Sequence, residues 1–381
     1  MRIFVTTGVL LHDTSEDFHS FLNEVLRIVI NRNAEHEFII HSVDSDARIC
    51  SAANVTCIKM RNVIRISFLA KMWYDLKLPA ILKKYRADLF ISFDGFCSMT
   101  TGIPQFIVFN DSFLLNDAAV LSRARSIFYN RFMQKSLQKA KTIICISDFR
   151  KQDLRLRYLV DADKIDVIYP AVNEPFQALN EDVKEKVRMK YCDGKNYFVF
   201  TGTMEKRQDL INLLKGFSAF KKRQKSNWKL LLIDYPHQYD RNFIESLTSY
   251  KYRSDVVVAK NVNEVERAGL IGSAYAVICA AHSEMMVFPI LQALKCEVPL
   301  ITANCPAGRE VAGDAALYYD HADSESIAGQ MMNIYKDESF RSMLIEKGKE
   351  KVMKYSFDKS AKLFWEFISG TKVDFKSHGV D

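Results

Sequence analysis

A short polar cluster near residue 200 follows an apolar run and has the composition of an anion-binding turn. The stretch FTGTMEKRQDL has Gly202 and Thr203 at the end of a strand pattern, and Lys206 and Arg207 where a helical pattern begins. A glycine permits close approach of the backbone to a ligand, and cations at a helix start, helped by free backbone N–H groups, can bind a diphosphate. The structural alternative is an ordinary strand-to-helix turn with solvated charges.

A second cluster lies in HSEMMVFPILQALKC, residues 282–296. Glu284 follows the strand-like run YAVICAA, and Pro289 suits the first turn of a helix. Gln292 is then expected about one turn into that helix, on the face that looks back at Glu284. The structural alternative has Glu284 capping the helix and Gln292 facing solvent.

A third cluster, FNDSF, ends the strand-like run PQFIVFN. Asn110 and Asp111 could bind hydroxyl groups there or form an Asx turn. Ligands of parallel sheets bind at the carboxyl ends of the strands, so the three clusters indicate one site to which both halves of the chain contribute.

The elements that would position these clusters alternate between strands and helices. Strand-like runs such as RIFVTT, HEFIIHSV, YFVFTGT and WKLLLID alternate with helical patterns, which is typical of parallel sheets covered by helices on both faces. The helical patterns include a basic one near 120–139, one near 240–250, and 207–224, 324–336, 338–354 and 358–369.

The length of the chain, 381 residues, predicts two domains rather than one. A polar stretch, residues 177–196, separates two series of alternating strands and helices, so we expect a boundary near residues 172–196. Two doubly wound halves would form a cleft between them, with the carboxyl ends of both sheets facing it.

Composition narrows the class of protein. The chain is 48% hydrophobic and 26% charged, which suits a globular protein. Its net charge of +7 is smaller than is typical of nucleic-acid-binding proteins. That charge favours phosphate-bearing ligands or an anionic membrane surface. No apolar run reaches the roughly 18–20 residues of a membrane span, and we interpret MRIFVTTGVLLHD as a first strand rather than a secretion signal.

Familiar catalytic and metal-binding motifs are missing from the sequence. It has no G-x-G-x-x-G after the first strand, no G-x-x-x-x-G-K-[ST] and no H-E-x-x-H, which argues against classical NAD binding, P-loop chemistry and zinc proteases. The eight cysteines have no C-x-x-C spacing, and several lie in apolar runs. We therefore expect buried, reduced thiols in a cytosolic protein, with neither a zinc site nor a disulfide framework.

Six segments resemble, in order, those of one known family. They are NAEHEFIIHS, MWYDLKLPAILKKYRADLFIS, IPQFIVFNDSF, AKTIICISDFRKQDL…DKIDVIYPAVNEPF, FVFTGTMEKRQDLINLLKGF and HSEMMVFPILQALKCEVPLITAN…REVAGDAALYYD. The family is that of the retaining, GT-B-fold glycosyltransferases of group 1, the family-4-like class, and the resemblance covers most of the chain.

The resemblance implies an α/β protein of GT-B fold, with two Rossmann-like doubly wound domains facing a central cleft. An acceptor-side domain would cover 1–172 and a nucleotide-sugar domain 173–355, with a helix and tail, 356–381, that could pack back on the first domain. The implied activity is transfer of a sugar from a nucleotide-diphosphate sugar to a glycan or lipid-linked acceptor. Retention of configuration and independence from metals or other cofactors are implied as well.

The resemblance also implies roles for individual residues. Cations near residue 207 would neutralise the departing diphosphate, and Glu284 would hold hydroxyls of the donor sugar. The implied catalytic residues are Glu284, Asn110 and Asp111. The implied donor contacts are Gly202, Thr203, Lys206, Arg207, Gln208, Met286, Val287, Phe288 and Gln292, and Gly8 would lie beside the acceptor.

Several of these positions depart from the family pattern. Asn110 stands where a histidine is frequent, and Gln208 stands at the usual lysine, which leaves Arg207 and Lys206 as the cations. The glycine-rich turn has become residues 285–287, Met-Met-Val. Gln292 replaces the second carboxylate, although its amide can still pair with a ribose hydroxyl.

These departures leave alternatives to an active transferase. One is a transferase-like binding or partner subunit that has lost turnover, and another is an epimerase-like enzyme of the same fold that acts on a sugar nucleotide without an acceptor. The expected location is cytoplasmic. Basic helices in MWYDLKLPAILKKYR and in 122–141 could contact the inner face of the cell membrane, or could simply have solvated charges around a core-facing stripe.

Overall fold

The chain folds into two compact units, each built around a parallel sheet. One unit comprises Met1–Pro170 together with the segment that begins at Ser356, and the other comprises Ala171–Tyr355. The computed structural model describes residues 1–7, 16–42, 47–59, 67–109, 123–201, 207–233, 247–279, 287–320 and 322–370.

The first unit alternates strands with helices along most of its length. Its strands are β1 (Arg2–Thr7), β2 (Glu37–Ser42), β3 (Val55–Lys59), β4 (Leu89–Ser92), β5 (Gln105–Val108), β6 (Thr142–Cys145) and β7 (Ile165–Val167). Its helices are α1 (Glu16–Arg32), α2 (Ala47–Cys50), α3 (Ser67–Met72), a π-helical turn (Trp73–Lys77), α4 (Leu78–Lys84), α5 (Arg123–Lys139), α6 (Asp148–Tyr158) and, from the end of the chain, α14 (Phe357–Ser369).

The seven strands of this unit pair in the order β3-β2-β1-β4-β5-β6-β7, and every pairing is parallel. On β1, Phe4 is in register with Ile39 of β2 and Phe90 of β4. All three side chains are buried, as expected for central strands that are covered on both faces.

The second unit repeats this arrangement. Its strands are β8 (Tyr197–Thr201), β9 (Lys229–Ile233), β10 (Val256–Ala259), β11 (Ala276–Cys279), β12 (Leu300–Ala303) and β13 (Ala316–Tyr319). Its helices are α7 (Glu181–Cys192), α8 (Arg207–Gln224), α9 (Glu264–Gly272), α10 (Val287–Lys295), α11 (Pro306–Ala312), α12 (Ser324–Lys336) and α13 (Glu338–Val352).

The second sheet has the order β10-β9-β8-β11-β12-β13, again with parallel pairings throughout. Counted within each unit, six strands of both sheets follow the order 3-2-1-4-5-6, which is that of a dinucleotide-binding fold. The order reverses between β1 and β4 in the first unit and between β8 and β11 in the second. Ligands of such sheets bind outside the carboxyl ends of the strands at these switch points.

Sequence periodicity predicts several elements to the residue. The run RIFVTT is β1, and the patterns over 207–224 and 324–336 are α8 and α12. The polar stretch 177–196, where the sequence predicts a boundary, contains α7 and belongs to the second unit as a whole. The expected helix near 240–250 lies largely outside the described residues.

The last helix, α14, packs against the first unit. Its contacts with α1 include an ion pair between Arg32 and Asp358 and a ring contact of 6.0 Å between Phe21 and Phe357. The Ser356 hydroxyl accepts a hydrogen bond from the Lys359 backbone and so caps the start of the helix.

The expectation of reduced cysteines throughout is wrong for one pair. Cys50, at the end of α2, and Cys57, on β3, form a disulfide across a separation of seven residues. The lack of C-x-x-C spacing does not reveal this pair. The short turn between helix and strand brings their Cα atoms to 5.8 Å, inside the range that a disulfide spans. The other six cysteines are buried and form no disulfide among the described residues.

Within the described ranges, none of the helices combines the length and the apolar character needed to cross a membrane.

Candidate functional site

The two central strands of the second sheet end side by side. Thr201, the last residue of β8, is in register with Cys279, the last residue of β11. Both strands therefore end at the same edge of the sheet, at the switch point between them. Most of the predicted site residues follow strand ends in this way but lie outside the described residues themselves: Gly8, Asn110, Asp111, Gly202, Thr203, Lys206, Glu284 and Met286.

The helix that follows β8 begins where the sequence predicts a diphosphate site. The backbone of α8 starts at Arg207, so Arg207 and Gln208 occupy its first turn, although their side chains lie outside the described part of the chain. The first N–H groups of a helix have no partner within it and favour negative charge. Buried Leu210, Leu213 and Phe217 hold this helix on the sheet.

The helix that follows β11 is buried along nearly its whole length. In α10, every residue from Val287 to Leu294 is buried, including Pro289, which lies in the first turn as predicted. Val287 and Phe288 are 0% and 2% exposed, so Val287 belongs to this helix rather than to the preceding turn. The side chains of Val287 and Phe288 lie in the protein interior, and only their backbone groups remain suited to a ligand.

Gln292 is the one polar side chain of this buried run. It is 1% exposed, which contradicts the alternative that it faces solvent. Its Oε1 has no hydrogen-bond partner among the described residues. An unsatisfied buried polar group costs about 1–3 kcal/mol, and a ligand that forms a hydrogen bond with this amide would offset that cost.

The first unit carries a polar cluster that the sequence does not predict. Tyr74, in the π-helical turn, donates a hydrogen bond to Asp94 Oδ2 at 3.0 Å, and its hydroxyl lies 3.4 Å from Ser92 Oγ at the end of β4. Burial and the charge of Asp94 raise the pKa of Tyr74 well above its usual value. The sequence signal for this cluster is the run LFISFDGF, in which Ser92 follows three apolar residues and Asp94 follows Phe93, at the switch point.

His41 lies near this cluster, on β2. It is 5% exposed and stacks on Trp73 with a ring separation of 5.4 Å. Burial lowers the pKa of His41 below its usual value of 6.5, which favours the neutral ring. In the described part of the chain, the carboxyl edge of the first sheet therefore combines the carboxylate of Asp94 with neutral polar groups.

Sequence profiles of two known families match complementary parts of the chain. The profile described as "Glycosyl transferases group 1" matches residues 184–351, and that of "Glycosyltransferase Family 4" matches residues 30–174. Both profiles are of glycosyltransferases, and together they cover most of the chain. The first profile covers the second unit from α7 to α13, and the second covers most of the strands of the first unit.

Individual relatives of the chain are distant in sequence. The chain is 24% identical over 233 residues to the O-antigen chain mannosyltransferase B of Escherichia coli, an alignment that covers 60% of the chain and 61% of that protein. The chain thus spans about three fifths of the length of this curated relative.

Solved structures of glycosyltransferases share the fold over nearly the full chain. The structure titled WaaG, a glycosyltransferase involved in lipopolysaccharide biosynthesis, has a TM-score of 0.73 at 14% identity and covers 97% of this chain and 100% of its own. The Anabaena HepE structure in complex with UDP and glucose has a TM-score of 0.71 at 11% identity, with 97% and 100% coverage. The fold is therefore GT-B.

Proposed function

We propose that the protein transfers a sugar from a nucleotide-diphosphate donor to a glycan or lipid-linked acceptor during glycoconjugate synthesis. The matches to two glycosyltransferase profiles and the GT-B fold support this activity. The name of the Escherichia coli relative makes mannose the first donor sugar to test.

The observation that carries the proposal is the buried amide of Gln292. It lies in the helix that follows β11, at the switch point of the second sheet, with Oε1 unpartnered among the described residues. An amide both donates and accepts hydrogen bonds, so it can bind the two hydroxyls of a ribose. A bound nucleotide would thus satisfy a group that otherwise lowers the stability of the unit.

The remaining parts of the proposed site come from the segments that follow β8 and β11 and from the start of α8. Glu284, in the segment that follows β11, would accept hydrogen bonds from hydroxyls of the donor sugar. Lys206, Arg207 and the first N–H groups of α8 would stabilise the diphosphate as it leaves, because charge-assisted hydrogen bonds are strongest where charge develops. We propose that these groups act without a metal ion and that the configuration of the sugar is retained.

Calorimetric titration with GDP-, UDP- and ADP-sugars, GDP-mannose included, tests the assignment. We expect one donor to bind and to be turned over or slowly hydrolysed, with the rate unchanged by EDTA. Glu284→Gln is expected to abolish the part of the binding that depends on the sugar. Sugar-dependent binding that survives this substitution would show that Glu284 is not in the donor site.

Gln292→Leu tests the observation that carries the proposal. Loss of a hydrogen-bonding amide is expected to weaken donor binding by about tenfold. Gln134→Leu, the same change at an exposed position of α5, is the matched control and is expected to leave donor binding unchanged. If no nucleotide sugar binds to the parent protein, the alternative of a partner subunit without turnover is favoured.

A further inference from the structure

A charged cavity lies at the opposite edge of the second sheet. It has a volume of about 190 Å³ and is bounded by Asn196, which precedes β8, and by Ser273 and Tyr275, which precede β11. The amino ends of the two central strands therefore border this cavity, whereas their carboxyl ends border the proposed donor site. Each strand is four or five residues long, so about 15 Å of sheet separates the two places.

Cations from two helices line this cavity. Lys184 and Arg188 lie four residues apart on α7 and so share one face of that helix, and Arg341 comes from α13. The carboxylate in the wall is that of Glu181, which accepts a hydrogen bond from Arg188. That bond, together with the charges of Arg188, Lys184 and Arg341, lowers the pKa of Glu181.

The pairing of these charges leaves one cation uncompensated. Arg188 pairs with Glu181, and Arg341 pairs with Glu338 at 2.8 Å while its guanidinium lies 4.4 Å from the centre of the Tyr275 ring. Lys184 forms no ion pair among the described residues and is half-buried. The local excess of positive charge therefore centres on the Lys184 ammonium.

The carboxylate of Glu181 is a group that another anion can displace from Arg188. Its side chain is 69% exposed, whereas that of Arg188 is 17% exposed. A carboxylate that is largely in water loses little when it is displaced, while a half-buried guanidinium fork gains from a tetrahedral anion that binds two of its N–H groups. The amide of Asn196 and the hydroxyl of Ser273 add neutral donors to the wall.

We propose that this cavity is a second ligand site, which binds a small phosphate-bearing anion between Lys184 and Arg188 after displacement of Glu181. Its volume is below the roughly 300–1,000 Å³ of pockets that hold drug-sized ligands, so it suits a phosphate or a small phosphomonoester rather than a whole nucleotide sugar. The site is distinct from the donor site and does not depend on the function proposed above.

Titration calorimetry of the full chain with inorganic phosphate and with glycerol phosphate, at constant ionic strength set by chloride, tests this site. We expect saturable binding of at least one of them, and the two arms separate free phosphate from a phosphomonoester. Lys184→Gln is expected to weaken binding by about tenfold or more, since it removes a charged hydrogen-bond donor. Lys186→Gln removes the same charge from an exposed position on the other side of α7 and is expected to change the affinity less than about twofold.

Glu181→Gln is expected to change the affinity for the anion in the opposite direction. Removal of the competing carboxylate is expected to tighten binding of the anion, a result that general damage to α7 would not produce. Absence of binding of both probes at about 10 mM, equal weakening by Lys184→Gln and Lys186→Gln, or an affinity that none of the three substitutions changes would overturn the proposal. Donor binding in Lys184→Gln is expected to equal that of the parent protein, so failure at one site leaves the other separately testable.

Discussion

The carboxyl edges of the two sheets have the same strand order but treat buried polar groups differently. In the first unit, Tyr74 joins Asp94 and Ser92 through contacts of 3.0 and 3.4 Å. In the second unit, Gln292 Oε1 and Thr302 Oγ1 are buried and have no hydrogen-bond partner among the described residues. The first edge pairs the hydroxyl of Tyr74 internally, although Thr6 Oγ1 and His41 Nδ1 on neighbouring strands are also buried without a partner among the described residues. The second edge leaves the amide oxygen of Gln292 unpaired among those residues.

This difference separates stability from ligand binding. A buried polar group that finds its partner inside the protein fixes the local packing and stabilises the fold, whereas an unpaired one lowers stability until a ligand satisfies it. We therefore expect the hydrogen-bonded group of Tyr74, Asp94 and Ser92 to act mainly as rigid support for the first edge. The second edge is expected to exchange stability for donor affinity.

Unfolding experiments can address each unit because the three tryptophans are divided between them. Trp73 and Trp365 lie in the first unit and Trp228 in the second. A W228F background reports on the first unit, and a W73F/W365F background reports on the second. Separate reporters matter because a chain with two domains need not unfold in a single transition.

The largest effect is expected from the apolar neighbour of Gln292. Leu291 is fully buried in α10, so Leu291→Ala should lower the free energy of unfolding of the second unit by about 2–5 kcal/mol through loss of packing and creation of a cavity. Urea unfolding in the W73F/W365F background measures it. A loss below about 1 kcal/mol would mean that α10 is less tightly packed than its burial indicates.

A smaller loss is expected from the paired polar group of the first unit. Tyr74→Phe removes the hydroxyl that donates to Asp94 and should lower the free energy of unfolding of this unit by about 1.5–3 kcal/mol, since the acceptor is a buried carboxylate. Urea unfolding in the W228F background measures the loss. Donor affinity should stay unchanged, and a variant that folds normally but binds no donor would contradict the division of roles.

Loss of the unpaired amide of Gln292 should affect donor affinity rather than the stability of the second unit. Gln292→Leu is expected to leave the free energy of unfolding of the second unit within about 1 kcal/mol of the parent value or to raise it, because the amide forms no bond through Oε1 that folding would lose. The same unfolding experiment in the W73F/W365F background tests this. A loss above about 2 kcal/mol would show that the amide stabilises the fold and would remove the main support for its role in donor binding.

Sequence patterns predict the central elements of this fold well and its margins poorly. Central strands such as β1 and β8 are uninterrupted apolar runs because both of their faces are covered. The edge strands β3 and β13 are not predicted as strands, since their residues are only partly buried and an edge position requires no continuous apolar run. Sequence patterns therefore identify strands that are buried on both faces and miss strands that are only partly buried.

The candidate site is predictable to a similar extent. The positions of α8 and α10 follow from helix start signals, and these fix where residues 207 and 292 lie relative to the strand ends. The burial of Gln292 depends on the packing of α10 within the core, which periodicity around a single glutamine does not reveal. The contact between Tyr74 and Asp94 joins residues 20 positions apart across a π-helical turn, so only the tertiary structure brings it into view.

The smallest and most gradual effect concerns pH in the first unit. Burial lowers the pKa of His41, and also that of His19 on α1, below the usual value of 6.5. The unfolded chain then binds more protons than the folded one as the pH falls through about 6.5, so the free energy of unfolding should decrease from pH 7.5 to pH 5.5. Unfolding in the W228F background at these two pH values measures the decrease.

His41→Gln provides the control for this pH dependence and separates a neutral buried ring from a charged one. The variant cannot take up a proton at this position on unfolding, so its stability should fall less steeply between pH 7.5 and pH 5.5 than that of the parent. Equal slopes would mean that His41 is not the source of the effect. A parent protein that became more stable at pH 5.5 would instead indicate a protonated His41 paired with a carboxylate, and the edge of the first sheet would then hold an ion pair rather than neutral groups around Asp94.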